Sequence, residues 1–237
     1  MCGIAGYVGD ERLSKNQIYQ IQVAMNNRGP DNFEYKYFSY NSCHIYLFHS
    51  RLSIIDLNNR SNQPFEYKNL NLSFNGEIYN FKELKNNLKK IGHKFKTKSD
   101  TEVLLKSYLE YGERCVEKFE GMWAFAIWDK KKKKLFMSRD RFGEKPLFYM
   151  NERNFLFGSE IKYLKILNRK KINVNLNHVK NFLYYGYKNT FNSEEYYFKN
   201  VKKLKPSYNL ILNGNKQLTL SRFWKPENKL DHKLKKE

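Results

Sequence analysis

A layered α+β domain is the architecture that this sequence predicts. Three observations predict it. Short apolar or alternating segments of strand length recur along most of the chain. A few segments with helical spacing are inserted between them. There is no internal repeat and no glycine-rich phosphate loop, since no two glycines are adjacent.

The first strand is Gly3–Val8. A helix over Ser14–Asn27 follows, with Ile18, Ile21 and Met25 at helical spacing. Ile45–His49 and Leu70–Phe74 are the next strands. Asn80 opens a second helix with Glu83 three residues on. Ser99 with Glu102 opens a third, which runs to about Tyr111 before Gly112. Both pairs have the spacing of a capping box. Met122–Trp128 and Leu135–Ser138 are strands, as are Pro146–Met150 and Asn154–Gly158. A helix covers Leu176–Tyr185, and late strands cover Tyr208–Leu212 and Gln217–Ser221. The polar segment Lys225–Glu237 reads as a linker or frayed end.

Of the 237 residues, 41% are hydrophobic and 16% aromatic, which is enough for a sizeable core and argues against global disorder. No apolar run approaches the roughly 20 residues needed to span a bilayer, so no membrane role is expected. No signal peptide is visible at the N-terminus. Three scattered cysteines, Cys2, Cys43 and Cys115, form neither a disulfide framework nor a zinc pattern. A reducing, cytoplasmic setting fits them. Five histidines show no metal-ligand spacing, so no metal site is expected. The formal charge of +20 raises a nucleic-acid role. Against it, the lysines are scattered and outnumber the arginines that base and phosphate forks favour. The one long basic run, Lys130–Lys134, separates two strands as a solvated hairpin turn. No specific nucleic acid is expected as a partner.

The second residue carries the first chemical signal. Removal of Met1 would leave Cys2 with a thiol and a free α-amine on one residue. An α-amine has a pKa of roughly 7.7–8.0 and accepts a proton near neutral pH. A nucleophile with its own base is the N-terminal-nucleophile arrangement.

Further segments follow in order: Arg28-Gly29-Pro30-Asp31, which reads as a turn, then His49-Ser50-Arg51-Leu52-Ser53-Ile54-Ile55-Asp56 and Asn75-Gly76-Glu77-Ile78-Tyr79-Asn80. Ser99-Asp100-Thr101-Glu102, Gly121-Met122-Trp123-Ala124, Arg139-Asp140-Arg141-Phe142-Gly143-Glu144-Lys145-Pro146-Leu147 and Phe157-Gly158-Ser159-Glu160 complete the set. Around an N-terminal cysteine these resemble the glutaminase domain of class II glutamine amidotransferases, and within that group the glutamine-hydrolysing asparagine synthetases. The resemblance runs from Cys2 to about Trp224. It implies a four-layer αββα N-terminal-nucleophile hydrolase fold with two stacked antiparallel sheets over residues 2–224, with 225–237 as tail or linker.

The resemblance also implies roles. Cys2 attacks the carboxamide of L-glutamine and passes through a γ-glutamyl thioester, while its amine, through a water, moves the proton to the leaving ammonia. Asn75 and Gly76 supply oxyanion donors, a side-chain amide and an unobstructed backbone N–H. Asn-Gly most often marks a hairpin turn, but here a capped helix follows almost at once. Arg51 clamps the substrate α-carboxylate, with Leu52, Ile54 and Ile55 beside it. Asp100 takes the α-ammonium while also favouring its helix dipole. Glu77 contributes to the same pocket. His49, just before Arg51, is read as structural. Cys43 and Cys115 are read as inert core residues, and Arg139-Asp140-Arg141 with Lys145-Pro146 as a packed, salt-bridged turn. Lys205-Pro206-Ser207 departs from the Pro-Gly usual in such a family, which affects a late turn and not the pocket.

In the family a second domain receives the ammonia, binding ATP and Mg to amidate aspartate. No Ser-Gly-Gly-x-Asp-Ser loop of that kind occurs here. The glutaminase step is expected to need no cofactor. A truncated, split or excised chain is expected, with a synthetase domain or chain as partner and oligomerisation left open. Two alternatives accompany this reading: an amidotransferase part for another acceptor, such as a surface-polysaccharide sugar acid, or a low-activity regulatory or binding subunit.

Overall fold

The computed structural model describes residues 1–169, 171–186 and 196–226. Its elements in chain order are β1 (Gly3–Gly9), α1 (Lys15–Asn26), β2 (Asn32–Tyr40), β3 (Cys43–Arg51), β4 (Phe65–Tyr67), β5 (Leu70–Ile78), α2 (Phe81–Lys90) and α3 (Asp100–Tyr111). They continue with β6 (Gly121–Asp129), β7 (Lys134–Arg139), β8 (Phe148–Asn151), β9 (Phe155–Gly158), α4 (Ile161–Leu167), α5 (Leu176–Tyr185), β10 (Lys202–Lys203), β11 (Tyr208–Asn213) and β12 (Leu218–Arg222). Six strands form a first sheet in the order β10-β8-β9-β1-β3-β2, and six form a second in the order β12-β11-β7-β6-β5-β4. The pairings within both sheets are antiparallel.

Strand alternation sorts the apolar side chains into three layers. Ala5, Tyr7, Tyr46 and Phe48 of the first sheet pack on Ile21 and Met25 of α1 and on Tyr163 and Leu164 of α4. The alternate residues Ile4, Val8, Ile45 and Leu47 face Ala124, Ala126, Leu135 and Met137 of the second sheet. The other side of that sheet, with Leu72, Phe74, Phe125 and Phe136, packs on Leu84 and Leu88 of α2 and on Val103, Leu104 and Leu105 of α3. The order is helix, sheet, sheet, helix, the αββα architecture implied by the resemblance.

Several local features differ from the sequence reading. α1 has the full capping box, formed by Ser14 and Gln17. α2 does not: Asn80 makes no cap hydrogen bond. Its amide instead donates to Lys118 O (3.0 Å) and accepts from Glu120 N (3.0 Å), tying α2 to the loop before β6. Ser99 caps α3 through Thr101 N. Glu102 does not complete a box there. It accepts from Lys96 N and Thr97 N instead, so it holds the incoming loop. β2 went unread because its aromatics alternate with Glu34 and Lys36 at a sheet edge, without an aliphatic run. α4 has only seven residues and no side-chain cap, so it leaves no start signal. Ser207 takes the left-handed turn (φ 66°) that glycine would occupy without strain, and its hydroxyl donates to Arg141 O at 2.9 Å. The basic turn after β6 is folded around Asp129, which accepts from Lys131 N and Lys132 N, both at 2.9 Å. The tail beyond Pro226 lies outside the described residues.

One buried ion pair braces α3. The Lys106 ammonium sits 2.8 Å from Glu102, the two side chains 1% and 2% exposed, between the rings of Tyr67 and Phe95. Removing one partner of a buried pair strands the other charge, typically at about 3–5 kcal/mol. Lys106→Met is therefore expected to lower the unfolding free energy by about 3 kcal/mol, the low end, because Glu102 keeps its backbone donors. An unchanged urea midpoint would remove this pair from the account of α3.

Candidate active site

At one end of the sandwich the inner faces of three strands converge. Cys2 immediately precedes β1, in phase with the inward Ile4 and Val8. His49 and Arg51 continue the inward phase of Ile45 and Leu47 on β3. On β5, Leu70, Leu72, Phe74 and Ile78 face the helices, so Asn75 faces inward. Every predicted catalytic and binding residue, from Cys2 and Arg51 to Glu77 and Asp100, borders one cleft of ≈ 70 Å³. Leu52 and Ile55 line it, and Ile54 forms its exposed rim.

The Cys2 sulfur accepts from Leu52 N at 3.4 Å. Burial pushes its thiol pKa up, opposed by that backbone contact and by the positive charges of the terminal ammonium and Arg51. A thiol held protonated needs a base before it can attack. Two groups outside the predicted site brace Cys2 and the loop beside it. Arg28 donates from Nε to the Cys2 carbonyl at 2.9 Å, and its Nη1 pairs with Glu160 at 3.2 Å. Asp31 accepts from Ser53 N at 2.6 Å, which anchors the loop after Arg51.

Asn75 and Gly76 are not a turn. They lie inside β5, opposite Ala124 and Trp123. Trp123 turns its N–H and C=O toward Asp140, with contacts of 3.3 and 2.9 Å, so the Gly76–Trp123 pair exchanges no ladder bonds. The Gly76 N–H therefore points away from β6, on the side where β4 has already ended. Its neighbours on that edge are occupied: Phe74 N donates to Gln63 Oε1 (2.7 Å) and Ile78 N to Asp100 Oδ2 (3.0 Å). Only glycine fits between them, because a Cβ would lie 2.2 Å from Met122 O and 2.7 Å from the Trp123 Cα. The Asn75 side-chain amide nitrogen is buried and has no hydrogen-bond partner. Two donors thus stand open beside the thiol, an arrangement suited to a developing oxyanion.

Arg51 differs from the simple carboxylate fork. Its Nη1 donates to Asn62 Oδ1 (2.8 Å) and Asn58 O (3.2 Å), and its Nη2 to Ile55 O (3.4 Å) and Asp56 O. The guanidinium organises the loop that forms one wall of the cleft. Asp56 has φ 51° there. Burial raises its carboxyl pKa, but Lys98 N and Arg60 outweigh this and hold it at about 2.

His49 is fully buried and holds its Nε2 3.0 Å from Phe74 O. Burial lowers its pKa to about 3, so the ring is neutral and the nitrogen facing that carbonyl carries the hydrogen. Cys115 is wholly buried in the short 3-10 segment after α3, whereas Cys43, at the start of β3, is half-buried and packs against the core between the sheets. The Arg139–Pro146 turn is packed, but not by an Arg139–Asp140 ion pair. Arg139 donates to Lys145 O and Leu204 O, both at 2.7 Å, and Asp140 collects backbone amides. That turn delivers Lys145 into the cleft. Among the described residues no group of histidine, cysteine and carboxylate side chains could hold a metal ion.

Two stacked sheets between helices, with a thiol at the N-terminal edge, define an N-terminal-nucleophile fold of the amidotransferase type. Glutamine phosphoribosylpyrophosphate amidotransferase from Bacillus subtilis superposes with a TM-score of 0.68 over 95% of this chain and 50% of that one, at 18% identity. Residues 1–224 match the glutamine amidotransferase domain family, and the chain belongs to it. Among its relatives, asparagine synthetase [glutamine-hydrolyzing] 3 from Bacillus subtilis is 35% identical over 96% of this chain and 37% of its own length. The putative asparagine synthetase [glutamine-hydrolyzing] 2 from Methanocaldococcus jannaschii is 36% identical over 92% of this chain and 45% of its own length. The chain thus spans less than half the length of these relatives.

Asp100 gives the site a measurable signature. Burial raises its carboxyl pKa from 3.8 to about 6, against the lowering effects of Ile78 N, Ser99 Oγ and Thr101 N. The folded state therefore binds this proton more readily than the unfolded chain. Without ligand, stability falls as pH rises from about 4 to about 6 and stays lower above that, by up to about 3 kcal/mol. Asp100→Asn is expected to raise the thermal midpoint at pH 7 and to leave it unchanged at pH 4. Equal midpoints at pH 7 would show that the carboxylate carries no such cost.

Proposed function

We propose that this chain hydrolyses L-glutamine to glutamate and ammonia through a γ-glutamyl thioester on Cys2, once Met1 has been removed. The observation that carries the reading is the pair of open donors, Asn75 Nδ2 and Gly76 N–H, in the same cleft as the Cys2 thiol. The freed α-amine takes the thiol proton through a water, and the sulfur adds to the substrate Cδ. The resulting oxyanion lies against Asn75 and Gly76. Collapse of the adduct breaks the C–N bond, and the amine returns its proton to the leaving ammonia. Water then adds to the thioester by the same base, and glutamate leaves as the thiol re-forms. The substrate α-ammonium sits against Asp100. The α-carboxylate takes the place of loop carbonyls on Arg51, between Leu52, Ile54 and Ile55, with Glu77 completing the wall. The protein groups named for this half-reaction all belong to this chain.

On this reading the ammonia passes to a synthetase domain, where ATP and Mg would support amidation of aspartate; the relatives are named glutamine-hydrolyzing asparagine synthetases. That domain is the partner this reading implies, and the cytoplasm is the compartment. No helix among the described residues is long and apolar enough to cross a membrane.

The test is ammonia release from glutamine by purified chain with Met1 confirmed absent, together with intact mass after a glutamine-like diazo-ketone. One adduct is expected, blocked by glutamine and lost in Cys2→Ala. Asn75→Ala is expected to cut kcat roughly 100- to 1,000-fold. No ammonia release with or without a synthetase partner, or labelling at Cys43 or Cys115 instead, would sink the proposal.

A further inference from the structure

Lys145 enters the cleft with its chain pinned at both ends. Its N–H donates to Asp140 Oδ2 at 3.0 Å, and its carbonyl accepts from Arg139 Nε at 2.7 Å. Pro146 fixes the next residue. The side chain is only 7% exposed. Its ammonium donates to the Met1 sulfur at 3.5 Å and forms no ion pair among the described residues. Lys145 thus lines the same cleft as Cys2, on the side taken by the Met1 side chain. A buried lysine without a carboxylate partner is costly.

The charges around that nitrogen come from every element at the cleft. Arg28, from the turn after α1, pairs with Glu160, which also pairs with Lys162. Arg51 and Asp100 stand on β3 and at the start of α3, and Glu77 on β5. The Asp140 carboxylate is committed to the amides of Trp123, Phe142, Glu144 and Lys145. Arg51 and Asp100 offset each other in sign, and Glu77 is the other carboxylate that lines the cleft.

We infer that Lys145 is a positioning residue for the Cys2 nucleophile: its ammonium, facing the freed N-terminus, keeps the α-amine in its neutral, proton-accepting form near pH 7. The inference rests on the glutaminase reading of Cys2. A like charge disfavours protonation of the amine and favours thiolate over thiol, and both effects move the onset of activity to lower pH. The role also gives the Arg139–Pro146 turn a purpose, since its two buried charges fix the backbone from which Lys145 projects.

The experiment is the pH dependence of diazo-ketone labelling of Cys2 and of kcat/KM for glutamine, in Met1-processed wild type, Lys145→Met and Lys145→Arg. The acid limb is expected to move up by about one pH unit in Lys145→Met and to return in Lys145→Arg. KM on the alkaline plateau is expected to stay unchanged. Lys145→Gln, which keeps most of the stem and a donor, replaces the Met variant if that one does not fold. An acid limb identical to wild type in the neutral variant overturns the inference while leaving the glutaminase reading intact. A changed KM with an unmoved limb also overturns it and makes Lys145 a substrate contact. A wild-type chain that never labels removes the glutaminase reading itself, and this inference with it.

Discussion

The bond from His49 to the Phe74 carbonyl joins the two sheets at the end where the cleft opens. The thiol of Cys2 and the guanidinium of Arg51 belong to the first sheet, and Asn75 with Gly76 to the second. Apolar packing between sheets is non-directional and leaves some freedom to slide. A buried hydrogen bond with one donor and one carbonyl acceptor does not. Burial keeps His49 neutral across the working pH range, so this link does not switch off by titration. On the proposed reading, this bond helps to fix the spacing between nucleophile and oxyanion donors.

The second constraint is that β5 outlasts its neighbour. β4 pairs only as far as Leu72, so the edge of β5 beyond it presents the amides of Phe74, Gly76 and Ile78 in a row. An unpaired strand edge is a liability unless it is covered. Here Gln63 covers the first amide and Asp100 the third, each with a side chain. The middle amide stays open because it has no side chain of its own to crowd it and no acceptor opposite. A cleft built from strand edge and capped helix start has little freedom to relax, which is what preorganised donors require.

Much of this was legible in the sequence, because alternation and spacing are local. α5 is found with the predicted bounds, and most strands begin or end within two residues of their predicted positions. What was not legible depends on partners far along the chain. Asn80 looked like a cap but serves the loop before β6, forty residues away. Asn75-Gly76 looked like a possible turn because nothing local reveals that the strand continues under Trp123. Arg28 and Glu160, 132 residues apart, meet only in the fold, and so does Lys145 with the N-terminus. The nine predicted site residues reached one cleft because a family pattern preserves such distant meetings where spacing cannot. The pattern named Arg51 without showing that its four terminal N–H groups already serve the loop.

That engagement of Arg51 shapes how the empty cleft behaves. The cleft holds a desolvated Asp100 and an unpartnered Asn75 amide nitrogen, each of which costs stability. The terminal N–H groups of Arg51, by contrast, are engaged by carbonyls of the loop from Ile55 to Asn58 and by Asn62. A glutamine-like ligand would relieve Asp100 with its ammonium and Asn75 with its carboxamide oxygen. It can reach Arg51 only by displacing loop carbonyls. Carbonyls are weaker acceptors than a carboxylate toward a guanidinium, so the exchange runs toward the ligand. The loop set free by that exchange is anchored at Ser53 by Asp31 and at Asp56 by Lys98 N. Its movement is therefore confined to the few residues between and just beyond those anchors, which form one wall of the cleft. On the proposed reading, selectivity for an α-amino acid would follow from two costs relieved together. A ligand lacking the ammonium leaves Asp100 buried and unpaired, and one lacking the carboxylate gives Arg51 no reason to release the loop.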